Sequence, residues 1–579
     1  MKKLLISTAI KETFGLEEEL IFLGEWCKEY GCEFLWDNRK HSTLECHFKD
    51  RDKFEKDYEY LKELYERLLS SLANSLNYYN KVNYPIRYWR IILGPWLLTY
   101  LSALWSRWES LRIAFEKNTF DQTYILNNEF REVALSYSHG RHLIANNHLW
   151  NYSIFSAIIK RYYNKNIDIK YIAVRDIQYN SSYNHNIKKT FKISFFYWID
   201  KILSHLFNNE KVIFVSSYFK KIVLAKISLK LGQFSRMYYE FDKFIKMPSL
   251  SNRDTININI IEKSSFESFV AKNIVLDIPI PYVEGFQNIR GEFLNVLPYC
   301  EVIFSANSYY HNDLFKVWCA EKVMAGKKLI ISEHGNSLSV KYSYFDHQEK
   351  ISDVYTVWHK PTNKNQIKLP PSKIINFSMP KRSGNNLSVI CFDASLYTDR
   401  HCSGASSSLV IEDYLQKNTF VKMLNLNIKK YVKFRPHHQN IWNLRQRYID
   451  DFGPKKVSFS KTLLDDFSRS KVIVCTYPET SFFEAMYSGI PTILLYKKEY
   501  WEIHSEFDEL IEKLIESKIL FDNPLFASNH INKIWNNPNS WWDSDKVVDT
   551  RNLFFDQCGS VGEDWFDQWS MFFKTQLQD

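Results

Sequence analysis

Five short segments gather the residue types that do chemistry, and each follows an apolar, β-branched run. The first is CTYPETSFFEAMYSGIPTILLY, Cys475 to Tyr496. Its spacing predicts a strand to Thr476, a loop, and a helix from about Thr480 to Ser488-Gly489, with Pro491 opening the next strand. A helix start carries free backbone N–H groups, so with the hydroxyls of Thr480 and Ser481 it can seat a phosphate. Ser481 and Glu484 also read as an S-x-x-E capping box, in which case they only close the helix end. The second is KFRPHHQN, Lys433 to Asn440. Arg435 can grip a phosphate through its planar fork, and His437 can donate to a phosphoryl oxygen. A solvated turn is the other reading, and His437 beside His438 is a poor metal pair because adjacent side chains diverge.

The third is ISEHGNSLSV, Ile331 to Val340. Glu333 and His334 can form an acid/base pair at a strand end, and Gly335 allows close backbone approach. A loop carboxylate with a structural histidine is the alternative. The fourth is STAIKETFG, Ser7 to Gly15, where Glu12 can take a proton from a hydroxyl or simply complement a helix dipole. The fifth is CFDASLYTDRHCSGASSS, Cys391 to Ser408. There Asp393, Ser395, Thr398 and Arg400 can reach a sugar or phosphate, or form a plain polar loop.

The elements that must position these loops alternate strand and helix, which argues for an α/β chain. Strands are expected at 4–8, 171–174, 212–217, 302–306, 328–332, 354–358, 373–378, 387–393, 431–435, 472–476 and 491–496. Residues 50–115 read as almost wholly helical. The turn-rich SMPKRSGNN before Leu387 marks a boundary. It gives a first Rossmann-like domain over 1–382 with a helical insertion, and a second over 383–579 ending in Trp-rich helices that cross back. In open α/β sheets, ligands sit at the carboxyl ends of the strands, where all five segments lie.

Composition narrows the class. The 579 residues are 45% hydrophobic with 42 Phe, 36 Tyr and 17 Trp, which excludes a mainly disordered chain. Sixteen Gly and sixteen Pro exclude collagen-like and low-complexity classes. Nine cysteines, an odd number without a CxxC pair, fit a reduced cytoplasmic protein. The net charge of +9 points to anionic partners. No P-loop, GxGxxG, HExxH or GxSxG element occurs, and no DxD-type pair sits at an obvious strand end, so no metal is expected. Ile91–Ser106 is apolar for 16 residues, too short to span a bilayer, and Phe191–Phe207 is broken by Asp200 and Lys201. Either would be a core helix or a peripheral membrane contact.

The sequence resembles a family of transferases encoded in bacterial surface-polysaccharide (O-antigen and capsule) gene clusters. STAIKETF with FLGEWC, RYWRIILGPWL, ISEHGNSLSVKYS, RPHHQNIW and the block from Tyr477 to Trp542 carry the resemblance over nearly the whole chain. Where that family more often reads Gln-His-Gly-Gly, Glu333 and Asn336 stand here. The second half is also similar to GT-B glycosyltransferases that use CMP-activated ulosonic acids. This resemblance implies a GT-B α/β fold with two Rossmann-like domains facing a cleft. It also implies transfer of a nonulosonic acid (pseudaminic, legionaminic, sialic or Kdo type) from its CMP form to a glycan or lipid-linked glycan acceptor. Arg435 and His437 would contact the CMP phosphate, Thr480 and Ser481 would form its helix-terminus seat, and Glu484 would hold the ribose. On the residues themselves, Glu12 or Glu333 would be the base if the reaction inverts, and a carboxylate would act as nucleophile or ion-pair partner at the anomeric carbon if it retains. The partners implied are a nucleotide-sugar donor and a glycan at the inner face of the cytoplasmic membrane, without cofactor, metal or nucleic acid. A UDP- or GDP-hexose donor, a polyol-phosphate transfer and a non-catalytic binding protein are the alternatives.

Overall fold

Runs of Val, Ile, Leu and Phe form three five-stranded sheets in which every recorded pairing is parallel. The computed structural model describes residues 1–177, 210–234, 246–293, 300–335, 338, 344–375, 377, 381, 383–397 and 407–578. The first sheet holds β1 (Lys3–Ile6), β2 (Glu19–Phe22), β3 (His41–Thr43), β4 (Gln122–Leu126) and β5 (Asp168–Ile172), ordered β3-β2-β1-β4-β5. The second runs β10-β9-β8-β7-β6, from β6 (Val212–Val215), β7 (Val302–Ser305), β8 (Lys328–Ser332), β9 (Val354–Val357) and β10 (Gln366–Lys368). The third, ordered β12-β11-β13-β14-β15, holds β11 (Asn386–Ile390), β12 (Val432–Arg435), β13 (Ser470–Cys475), β14 (Thr492–Leu495) and β15 (Leu520–Phe521). Parallel sheets are covered on both faces, so their strands read as continuous apolar runs rather than alternating ones. β6, β7 and β14 are buried at every residue.

The expected α/β class holds, with three parallel sheets in place of the expected two. Residues before 382 supply two of the sheets. The expected helical stretch is two long helices, α1 (Arg51–Asn80) and α2 (Ile86–Lys117), set between β3 and β4. Asp50 caps α1 by accepting from the Lys53 N–H. On α1, Phe54, Tyr58, Leu61, Tyr65, Leu68 and Leu72 recur at helical spacing and are buried. Ile91–Ser106 lies within α2 and is core: of its sixteen residues only Trp105 is not fully buried. A Cβ on Gly94 would come within 2.5 Å of the His347 ring, so glycine lets α2 pack there. Among the described residues no helix is long and apolar enough to cross a membrane. The stretch Phe191–Phe207 lies outside the described residues.

Two strand expectations are corrected. The described part of KIINFS is not a strand: Ser372–Ile375 form a turn after Pro370-Pro371, which lack the N–H groups a ladder needs. The strand placed at 171–174 runs instead from Asp168 to Ile172. The last helix, Trp565–Gln576, does cross back. Trp569 and Phe573 pack against Phe304 and Phe214 of the second sheet, with ring centroids 5.0–5.8 Å apart.

Candidate functional site

A doubly wound sheet opens a crevice where its strand order reverses, at the carboxyl ends of the two strands that flank the reversal. In the third sheet that point lies between β11 and β13. The loop after β11 carries Asp393 and Ser395, and the loop after β13 leads into the helix Thr480–Tyr487. β12 lies on the other side of β11 and ends at Arg435 and His437. The reversal therefore brings Ser395, Arg435, His437, Thr480 and Ser481 to one edge of one sheet.

The helix starts as the sequence predicts, but not through the expected cap. Glu479 is the N-cap residue and makes no side-chain cap hydrogen bond. The Ser481 hydroxyl lies 2.8 Å from Tyr477 Oη, and the Glu484 carboxylate meets Lys373 Nζ at 3.1 Å. The Ser481/Glu484 box does not form, because Glu479 is the N-cap and Ser481 lies already inside the helix. The helix ends at Tyr487, with Gly489 at φ +67°, the left-handed conformation glycine adopts freely.

Arg435 donates to the Ser460 carbonyl at 3.1 Å and pairs with the buried Asp466. Its Nη1 edge is thus committed to holding the end of β12 against the helix Leu463–Ser468. His437 is partly buried, and burial lowers its pKa to about 4, with His438 adding to the effect. It is neutral at pH 7. Its Nδ1 accepts weakly from the Gln439 N–H at 3.5 Å, which leaves Nε2–H as the donor. Asp393 accepts from the Ile441 N–H at 2.6 Å and so ties the β11 loop to the histidine loop. Burial raises its pKa to about 6. Beneath them lies Lys417, 1% exposed on its side chain, paired with Asp413, 5.1 Å from the Phe392 ring and lowered to about 8 by burial.

The second sheet presents its own exits to the same place. Glu333 is 7% exposed, and its carboxyl accepts from the Trp358 N–H at 2.7 Å. Burial, with Glu506 nearby, raises its pKa to about 8 despite that hydrogen bond, so it is mostly protonated at neutral pH. His334 stacks on Tyr218 at 5.7 Å and is lowered to about 4, chiefly by burial. Tyr218 sits at φ +61° and accepts from Asn307 Nδ2 at 3.0 Å. A Cβ on Gly335 would stand 2.5 Å from Thr480 Oγ1. The exit of β8 therefore rests against the start of the phosphate-type helix. Trp358 on Phe483 (5.5 Å), Lys373 on Glu484 and His359 on Glu506 (3.6 Å) continue the contact.

Helices packed on the first sheet meet the β11 exit loop a few residues beyond Asp393 and Ser395. His148 Nδ1 lies 2.7 Å from Tyr397 Oη, and Arg107 donates to the Tyr397 carbonyl at 3.0 Å. Glu12 lies in a short turn, Lys11–Thr13, directly after β1, at the first sheet's own reversal between β1 and β4.

Sequence reasoning missed Glu479, partly buried and raised by burial to about 7, beside Thr480 at the mouth of the helix. The signal was present: a carboxylate immediately before a helix start. Lys373 and Tyr218 carried no local signal. Among the described residues no group of three or more His, Cys, Asp or Glu could hold a metal ion.

Comparison with solved structures finds similarity at low identity. Acinetobacter baumannii MurG is 11% identical, covering 63% of this chain and 99% of that one with a TM-score of 0.33. The spinosyn forosaminyltransferase SpnP is 9% identical, covering 63% and 99%, with a TM-score of 0.32. The spinosyn rhamnosyltransferase SpnG, solved with spinosyn aglycone, is 10% identical over 51% and 79%, with a TM-score of 0.28. No curated protein sequence matches this chain. The model of the LIC12162 family transferases matches residues 3–573, nearly the whole length over which the three sheets and their facing loops extend, and the chain belongs to that family.

Proposed function

We propose that this transferase is a glycosyltransferase that holds a nucleotide-activated sugar at the β11/β13 reversal and passes the sugar to a glycan acceptor. The observation that carries the reading is the contact of Gly335 with Thr480. It sets the hydroxyl-bearing start of a helix against an acid-bearing loop of a second sheet, which is what departure of a phosphate from a sugar needs on its two sides. The helix start at Thr480–Ser481 and Nε2–H of neutral His437 stabilise the leaving phosphate. Arg435 holds the β12 loop in place through Asp466 and offers its remaining N–H groups. Ser395 lies at the edge nearest the sugar.

The base that takes the acceptor proton is Glu12 or Glu333. With a pKa of about 8, Glu333 is only about one-tenth ionised at pH 7. If Glu333 is the base, the rate rises with pH through about 8. If Glu12 is the base, Glu333→Gln keeps most of the activity. The donor we favour is a CMP-linked nonulosonic acid and the acceptor a surface polysaccharide, on the resemblance of the RPHH and TSFFE segments. A soluble donor and a lipid-linked acceptor would meet at the inner face of the cytoplasmic membrane through a peripheral contact. The chemistry proposed uses no metal or cofactor.

Thermal melts with CMP, UDP, GDP and ADP at millimolar concentration test the reading. A ligand at about 100 times its Kd adds about 2.7 kcal/mol, enough to shift the melt. Stabilisation by CMP alone supports the donor class. Stabilisation by UDP or GDP keeps the site and replaces the donor, and silence from all four removes the nucleotide. His437→Ala should lower turnover by about 10²-fold with an unchanged melt. Wild-type turnover in that variant would remove His437 from the site.

A further inference from the structure

The loop that leaves β4 lies at the first sheet's reversal point, away from the group described above. Together with two helices it encloses a cavity of about 360 Å³. One wall is the helix His148–Ile158 with its π-type last turn Ile159–Tyr163, which brings Lys160 and Arg161 to the rim. The other is the helix Ser265–Asp277, which presents Lys272 and Asn273. Arg131 comes from the loop itself.

The charges are one-sided. Among the described residues, four cations line the cavity and Glu129 is the one lining carboxylate. Among the described residues, Lys160, Arg161 and Lys272 have no recorded ion-pair partner. Arg131 binds Asn273 Oδ1 and reaches Asp277 at 3.7 Å, while its buried Nε has no hydrogen-bond partner among the described residues. Like charges drawn from three separate segments repel one another unless an anion enters between them. A buried donor left unpaired costs free energy that an incoming acceptor oxygen recovers. The floor adds an apolar side, since Phe130 and Phe269 also line the cavity. The π-turn matters here, because such turns widen a helix locally and recur at binding sites.

We propose that this cavity is an anion site that takes the phosphate or diphosphate group of a phosphorylated acceptor. The proposal rests on the reading that this chain passes a sugar to an acceptor, and it places that acceptor at the first sheet. It assigns the acceptor a chemical class, which that reading leaves open. Lys160, Arg161 and Lys272 supply charge from the rim, and Arg131 supplies directed N–H donors from the loop.

Titration calorimetry of the full chain with inorganic pyrophosphate, at low and at physiological salt, tests it. The wild type should bind, less tightly at the higher salt. Lys160→Ala/Arg161→Ala and Lys272→Ala, all exposed positions, should each weaken binding about tenfold or more while leaving nucleotide binding unchanged. Equal affinity in wild type and variants overturns the proposal. So does displacement of pyrophosphate by the nucleotide that stabilises the protein, which would put pyrophosphate at the third sheet. Geranyl diphosphate in the same assay separates two sources of the group. Tighter binding than pyrophosphate, lost in the same variants, assigns a lipid-linked diphosphate. Equal binding, also lost in the variants, assigns a soluble phosphorylated acceptor. Nucleotide binding is read in separate titrations, so loss of the donor reading and loss of this one are distinguishable.

Discussion

Replacing Gly335 with alanine probes the contact on which the site depends. The added methyl would stand 2.5 Å from Thr480 Oγ1 but 3.8 Å from Thr480 Cβ, an ordinary van der Waals distance. Gly335 is not among the glycines with positive φ, so alanine meets no backbone strain and the whole effect comes from the hydroxyl. Either the two sheets separate slightly or Thr480 turns to another rotamer and carries its hydroxyl out of the helix mouth. Overpacking of this kind costs about 1–3 kcal/mol. Expressed as affinity, that weakens nucleotide binding about 5- to 150-fold. Thr480→Ala removes the oxygen and restores room, so Gly335→Ala should cost under about 0.5 kcal/mol in that background. Calorimetric Kd values for the stabilising nucleotide across the four-protein cycle measure both numbers. Wild-type affinity in Gly335→Ala, or an equal loss with and without the Thr480 hydroxyl, would refute the juxtaposition of β8 and the helix.

Three further outcomes follow from burial and close approach. Glu333 holds its proton in the fold up to about pH 8 against an ordinary 4.5, so the folded chain binds the extra proton across that window. Its contribution is therefore full below about 4.5 and falls as pH rises through about 8, by up to about 4–5 kcal/mol. Urea melts of Glu333→Gln between pH 6 and 9 should show a flatter decline than wild type, and an identical slope would count against a neutral Glu333. Gly384→Ala would put a methyl 2.0 Å from the Arg469 carbonyl oxygen, a backbone atom, and should cost about 3 kcal/mol or more in melts. A change within about 0.5 kcal/mol would contradict that packing. Lys417→Met strands the buried Asp413 and should cost about 3–5 kcal/mol. Adding Asp413→Leu should recover most of it, and no recovery would mean that the lysine acts through something other than that pair.

Much of the fold was legible because buried parallel strands are continuous apolar words. VIFVSS, VIFSA, KLIIS and VIVCT all fall on strands, and the carboxyl-end rule then pointed to the loops that matter. What escaped notice lacked that signature. β3 (His41–Thr43) is a polar, largely exposed edge, and β15 is two residues long. The presence of two sheets before residue 382 depends on which strands pair, and pairing is settled by long-range packing. KIINFS shows the converse, an apolar word turned aside by the two prolines before it. At the site, sequence reasoning found the helix start but left Ser481 and Glu484 open between a phosphate site and a capping box. Glu484 instead meets Lys373, on a loop more than a hundred residues earlier, and no local spacing records that, whereas Ser481 meets Tyr477 only four residues away.

The helix Trp565–Gln576 covers a face of the second sheet whose own strands end with β10, about 200 residues earlier. At roughly 5–20 residues per second of synthesis, Phe214, Phe219 and Phe304 wait about 10–40 s for Trp569 and Phe573 to leave the ribosome. During that interval the nascent chain displays an aromatic surface of the kind chaperones hold. The sheet is sealed only when the last helix emerges, so a ribosome that stops early releases a sticky product rather than a shorter enzyme.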